Sequence, residues 1–191
     1  MAFIPELRLG WLNGWVYLAL FYSCFGLYLL ASPKAIVKKL YSVRGWEKRY
    51  YILSAIGKPF SLASLTLLIF SPINFQPAVF WTGTLVYLAG FAIMFSALFT
   101  YRKTPTDQAV LGGLYQYSRN PQWVGLVLIF IGTGISCGNG LALLLMGIGI
   151  ALYHFRILGE ESACLNAYGQ PYQKYMDEVP RYFGFGGKKE K

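Results

Sequence analysis

The stretch Gly112-Gly113-Leu114-Tyr115-Gln116-Tyr117-Ser118-Arg119-Asn120-Pro121-Gln122-Trp123-Val124-Gly125 is a polar island between long apolar runs. Asparagine is a strong helix N-cap and proline is pre-set for the first helical position. Asn120-Pro121 therefore predicts a helix that starts here and runs into the apolar segment beyond. The unpaired N–H groups of such a helix end point back at the polar loop, where they suit a carboxylate or phosphate of a small ligand. The same residues also describe a capped transmembrane helix with interfacial aromatics.

Working outward, the surrounding runs set the fold class. Of 191 residues 55% are hydrophobic and only 13% charged, which is too apolar for an ordinary soluble domain. A membrane crossing needs about 20 apolar residues. Runs of this kind lie at Trp11 to Ala31, Tyr51 to Ser71 and Ala78 to Tyr101. Two shorter arms, Trp123 to Ser136 and Gly140 to Phe155, are joined by Cys137-Gly138-Asn139, a tight external turn, and must borrow residues at their cytoplasmic ends. The expectation is an all-α polytopic membrane protein with about five transmembrane helices and a cytoplasmic C-terminal helical segment. Gly132, Gly134 and Gly138, opposed by Gly147 and Gly149, would let the last two helices approach closely.

Charge then orients the chain. The first run is longer than a signal-peptide core and its charges follow it, so a cleaved signal is not expected. Lys34, Lys38, Lys39, Arg44, Lys48 and Arg49 stand against a single Glu47 between the first and second runs, and Pro72 to Pro77 carries no charge. On the five-helix layout every Lys and Arg except Arg8 and Lys58 falls on one side, which predicts N-terminus out, C-terminus cytoplasmic and a site facing the cytoplasm. Lys58, beside Pro59 inside the second run, is near enough to the cytoplasmic end to snorkel. The formal charge of +9 then answers to anionic membrane lipids, and no nucleic-acid-binding signature is present. Cys24, Cys137 and Cys164 fall in a helix, an outer turn and the cytoplasmic side, so they form no disulfide framework. With His154 as the single histidine, no metal site is expected.

The downstream half adds Arg156-Ile157-Leu158-Gly159-Glu160-Glu161, then Tyr168-Gly169-Gln170-Pro171-Tyr172, Tyr175 and Val179-Pro180-Arg181. Arg156 and Glu160 are four apart and share a helical face. They read equally as an interfacial ion pair and as the start of a site for a cationic ligand. Tyr168, Tyr172 and Tyr175 fit both an aromatic belt and a lid over a ligand.

In this order the motifs resemble the isoprenylcysteine carboxyl methyltransferase and phospholipid methyltransferase group. Its pattern runs G-x-Y, R-[HN]-P-x-[YW]-x-G, a helical hairpin ending in R-x-x-x-E-E, F/Y-G-x-x-Y-x-x-Y and V-P-R. The resemblance covers roughly residues 105–183. It implies an integral membrane methyltransferase that uses S-adenosyl-L-methionine on a lipophilic small-molecule or lipidated acceptor: a prenylcysteine carboxylate, a phospholipid amine or a small thiol. It also implies site residues. Asp107, Gln108, Ala109 and Val110, Tyr115, Asn120, Pro121, Gln122, Trp123 and Glu160 would hold the cofactor, and Arg156, Glu160 and Glu161 would serve catalysis, with Arg156 orienting the acceptor. Asn120 stands where histidine is commoner and Trp123 where tyrosine is commoner, which leaves N-, O- or S-methylation open.

The chain is thus read as one membrane domain: helices 1–3 and the basic loop over 1–104, the methyltransferase-like region over 105–183, and a mobile Gly- and Lys-rich tail over 184–191. Two other readings predict different binding. A membrane sterol or enone reductase with a similar C-terminal layout would take NADPH, and a membrane scaffold would take neither cofactor.

Overall fold

The computed structural model describes residues 3, 6–42 and 46–183. It contains seven α-helices: α1 Trp15–Ala31, α2 Lys34–Leu40, α3 Lys48–Phe70, α4 Pro77–Lys103, α5 Pro121–Cys137, α6 Gly140–Tyr168 and α7 Gln170–Glu178. A 3-10 turn, Gly113–Gln116, lies between α4 and α5. Among the described residues there is no strand, only an isolated bridge between Asn13 and Pro72. The expected tail at 184–191 lies outside the described residues, as does Arg44 of the basic loop.

Three helices, α3, α4 and α6, are long and apolar enough to cross a membrane. The helices expected as first and fourth spans, α1 and α5, are apolar but have 17 residues each. At 1.5 Å per residue that is about 26 Å, short of a hydrocarbon core of about 30 Å. The basic connection expected after α1 is partly helical, because Pro33 is followed at once by the seven residues of α2. In α3 the helix continues through Pro59. Lys58 is exposed, with Nζ 6.0 Å from the ring centre of Tyr51, two turns nearer the helix start, which is the direction snorkelling requires.

Packing sorts the helices into two close pairs, α4 with α5 and α3 with α6. This corrects the expectation that the glycines of α5 and α6 oppose one another. Gly149 faces Ser61 and Gly57 of α3, Gly132 faces Tyr87 and Gly83 of α4, and Gly147 has no neighbour at its Cβ position. Helical glycines mark only that a backbone approaches, and two candidate neighbours stood on each side. A core of Phe21, Tyr28, Tyr87, Met94, Leu98 and Ile129 joins α1 to the α4–α5 pair. It is pinned by Tyr28 Oη donating to the Leu98 carbonyl at 2.8 Å and Tyr87 Oη to that of Tyr17 at 2.9 Å.

Gly125, the last residue of the organising stretch, decides how that stretch sits. A Cβ there would lie 2.6 Å from Met94 N and 2.8 Å from the Gly90 carbonyl oxygen, both backbone atoms that cannot swing aside. Gly125→Ala is expected to cost about 2–3 kcal/mol by forcing α5 off α4. A thermal-unfolding scan of the detergent-solubilised variant checks this, and an unchanged midpoint would show that the helices can part without penalty.

At the end of the bundle away from the 102–122 loop Gly138, with φ +64°, closes α5, and Asn139 Oδ1 accepts from Ala142 N at 2.9 Å to start α6. That makes the predicted tight turn between them. At the other end α6 does not stop at Phe155. Its 29 residues extend about 43 Å. The surplus over a bilayer core of about 30 Å is about nine residues, which carries Glu160 to Tyr168 past the apolar layer, to where Gly169 turns the chain into α7.

Candidate active site

Beneath α7 and the 102–122 loop lies a cavity of 390 Å³. That is within the range of small-molecule sites. Its floor is apolar, formed by Phe25, Met94, Leu98 and Leu126 of α1, α4 and α5. Its upper wall brings together most of the residues singled out in the sequence: Gln108, Ala109, Val110, Tyr115, Asn120, Gln122, Trp123, Arg156, Glu160 and Glu161. Asp107 and Pro121 do not line it. Asp107 is exposed, while Pro121 is buried as the first residue of α5.

Arg156 and Glu160 form the expected i,i+4 pair, Nε to Oε1 at 2.9 Å. The Glu160 side chain keeps 40% of its surface accessible against 5% for Glu161. Two adjacent carboxylates therefore have different surroundings. The Arg156 guanidinium lies 4.9 Å from the ring centre of Trp46 and 5.5 Å from that of Tyr153. Tyr153 in turn stacks on Trp123 at 4.6 Å and 11°. These aromatic faces hold the guanidinium plane by cation–π attraction, so Glu160 is presented from a fixed arm.

Glu161 is instead enclosed. Arg119 donates to it from Nε at 3.0 Å and Nη2 at 3.3 Å, Asn120 from Nδ2 at 3.1 Å, and Arg181 from Nε at 2.9 Å. The same groups reach onward: Arg119 Nη1 donates to the Met176 carbonyl at 2.6 Å, Arg119 N to that of Pro180 at 2.9 Å, and Ser118 Oγ to that of Arg181 at 3.2 Å. One carboxylate thus ties the organising loop, α6 and the segment after α7 into a unit. The helix start read at Asn120-Pro121 holds, but Asn120 stands at the N-cap position of α5 without a side-chain cap hydrogen bond. Its Nδ2 is aimed as a donor at Glu161 and the Arg181 carbonyl, and its side-chain oxygen accepts from none of the first backbone N–H groups of the helix.

Tyrosines close the roof. Tyr175 Oη donates to the Tyr115 carbonyl at 2.6 Å, Tyr168 Oη to that of Gln108 at 3.2 Å, and Tyr172 packs between them. All three line the cavity, as does Tyr115. Burial pushes the hydroxyls of Tyr115, Tyr172 and Tyr175 above their ordinary range, which keeps them neutral donors. Gln122 is in the cavity wall with its Nε2 buried, and its side chain acts as a donor toward the Tyr115 hydroxyl. His154 lies outside the lining and pairs through Nδ1 with Tyr182 Oη at 2.6 Å.

The loop, α5, α6 and start of α7 that build this wall fall within a family match. The phospholipid methyltransferase family matches residues 75–171, just over half of the chain. The chain belongs to that family. A protein-S-isoprenylcysteine O-methyltransferase of Schizosaccharomyces pombe is 30% identical over 122 residues, which cover 56% of this chain and 51% of that protein. The chain therefore spans about half the length of this relative. No solved structure matches it. The family region contains Arg119, Arg156, Glu160 and Glu161 but leaves Lys39, Trp46 and Arg181, all at the site, outside its bounds. Sequence reading missed the joining role of Arg119 and Arg181, although both stand inside quoted motifs. It gave no site role to Lys39 or Trp46, which no motif marks.

Proposed function

We propose that this chain is an integral membrane methyltransferase that uses S-adenosyl-L-methionine to methylate a lipophilic acceptor at the cytoplasmic membrane face. The observation that carries the proposal is the cavity itself, with an aromatic and carboxylate-bearing wall above an apolar floor. The wall suits the cofactor: Glu160 and the aromatic side chains of Trp123 and Tyr153 favour a cationic group. When bound, S-adenosylmethionine supplies a methyl group on a positively charged sulfur, open to in-line attack. The protein's share is alignment and the exclusion of water. The α7 tyrosines roof the site, Gln108 to Val110 form one side, and Arg156 stands at the boundary with the apolar floor, where the head of a lipophilic acceptor would meet it.

The wall also bears on the acceptor. Glu161 is saturated by two arginines and an asparagine, Glu160 is paired with Arg156, and His154 lies outside the lining. No unpaired base stands among the described lining residues. A carboxylate or thiolate needs none, whereas an ammonium headgroup must first lose a proton, so the arrangement favours the ionised acceptors. The asymmetry of Lys and Arg supports an outer N-terminus and cytoplasmic C-terminus, with α1 and α5 completing five crossings in a locally thinned bilayer.

Calorimetric titration of the detergent-purified protein with S-adenosylhomocysteine, beside NADPH, tests the proposal without knowledge of the acceptor. Saturable binding of S-adenosylhomocysteine alone is expected. Binding of NADPH instead would move the chain to reductase chemistry, and silence from both in folded protein would leave a scaffold.

A further inference from the structure

The segment Thr104 to Gly112 is not helical, yet its Gln108, Ala109 and Val110 form one side of the cavity. Within itself it holds only by Gln108 N donating to the Pro105 carbonyl at 3.2 Å. Most of its restraint comes from outside. Lys39 of α2 donates from Nζ to the Gln108 carbonyl at 2.7 Å and to the Pro105 carbonyl at 3.3 Å, and Tyr168 of α6 adds its bond to Gln108. The Lys39 ammonium lies 5.5 Å from the ring centre of Tyr101, and the side chain lines the cavity. On the same short helix Lys34 and Lys38 are exposed, as a lipid-facing basic segment would have them, whereas Lys39 is turned inward and half-buried.

We propose that Lys39 is a positioning residue of the site, its ammonium clamping segment 105–110 to α2 so that this helix, outside the family region, completes the cofactor wall. A lysine suits this work because one ammonium carries several donors on a long arm, enough to grip two carbonyls that share no plane. A charged donor to carbonyl oxygens in a partly desolvated place also holds more strongly than a neutral one. Burial lowers the Lys39 pKa, in keeping with an ammonium withdrawn from water. The consequence for binding rests on the methyltransferase reading, but the clamp itself does not.

The experiment pairs two readouts on the full chain in detergent: hydrogen exchange at the amide of Gln108, which donates to the Pro105 carbonyl, and titration with S-adenosylhomocysteine. Lys39→Met is expected to speed exchange in 105–110 and weaken binding by about 10–100-fold, the range of one or two charge-assisted hydrogen bonds. Its unfolding midpoint should stay that of the parent protein. Lys39→Arg, which keeps charge and forked donors, should restore binding to within about threefold. Should the methionine variant fail to fold, Lys39→Gln takes its place. Unchanged exchange, or faster exchange with unchanged affinity, would overturn the proposal. If the parent protein itself fails to bind S-adenosylhomocysteine, the functional reading falls, and exchange in 105–110 still decides whether Lys39 clamps the segment.

Discussion

Replacing Glu161 by glutamine is expected to cost the protein about 3–5 kcal/mol and to abolish ligand binding, a larger effect than any other single carboxylate would give. The Glu161 and Arg119 side chains are 5% and 8% accessible, so the substitution leaves a buried guanidinium facing a neutral amide. Glutamine also brings two N–H donors to a position surrounded by donors from Arg119, Asn120 and Arg181. One or more must go unpaired. Because the same carboxylate joins the organising loop to α6 and to Arg181, its loss should free the 113–120 turn and the segment after α7 together. Chemical denaturation and hydrogen exchange of Tyr115 to Asn120 would register both. Retained stability with normal exchange would mean that the two arginines find other partners, and that the network merely accompanies the fold.

The contrast between Glu160 and Glu161 also shows how far the sequence could be read. The helices were legible because long apolar runs and the breaks at Pro72 and Gly138 are local signals, and they bounded α3, α4 and α5 within a few residues, whereas the apolar arm read as ending at Phe155 is only the first part of α6, which runs to Tyr168. The motif residues were legible as a set: all of those named except Asp107 and Pro121 line the cavity, and to do so they need only share one end of a bundle. That they meet follows from topology, because α4 ends, α5 begins and α6 leaves the apolar layer on the same side. Which of the two carboxylates the arginines of the loop and the C-terminal segment enclose was not legible. Neighbours on a helix point about 100° apart, and only the placement of Arg119 and Arg181 turns one of them inward. The pairing of α4 with α5 was equally hidden, because Gly125 and Gly132 declare a close approach without naming the helix that makes it. Lys39 was hidden more deeply. Its partners are backbone carbonyls of Pro105 and Gln108, and a carbonyl has no sequence signature.

Glu160→Gln is expected to leave the fold intact and to weaken S-adenosylmethionine binding by about a hundredfold, or roughly 2.7 kcal/mol. The fold should survive because the pair with Arg156 is an i,i+4 contact with a partly accessible carboxylate, of the kind worth only a few tenths of a kcal/mol. Glutamine can still accept from Arg156 through its carbonyl oxygen, so the guanidinium should keep its place over Trp46 and Tyr153. What vanishes is the negative charge in the cavity wall. The comparison that matters sets S-adenosylmethionine beside S-adenosylhomocysteine, whose sulfur is uncharged. If Glu160 opposes the sulfonium, the variant loses affinity for the first and keeps most of it for the second. If Glu160 holds the amino group common to both, the two affinities fall together. Parent-like affinity for both ligands in a folded Glu160→Gln protein would remove this carboxylate from the site and leave the aromatic faces of Trp123 and Tyr153 as the groups that favour a cation there.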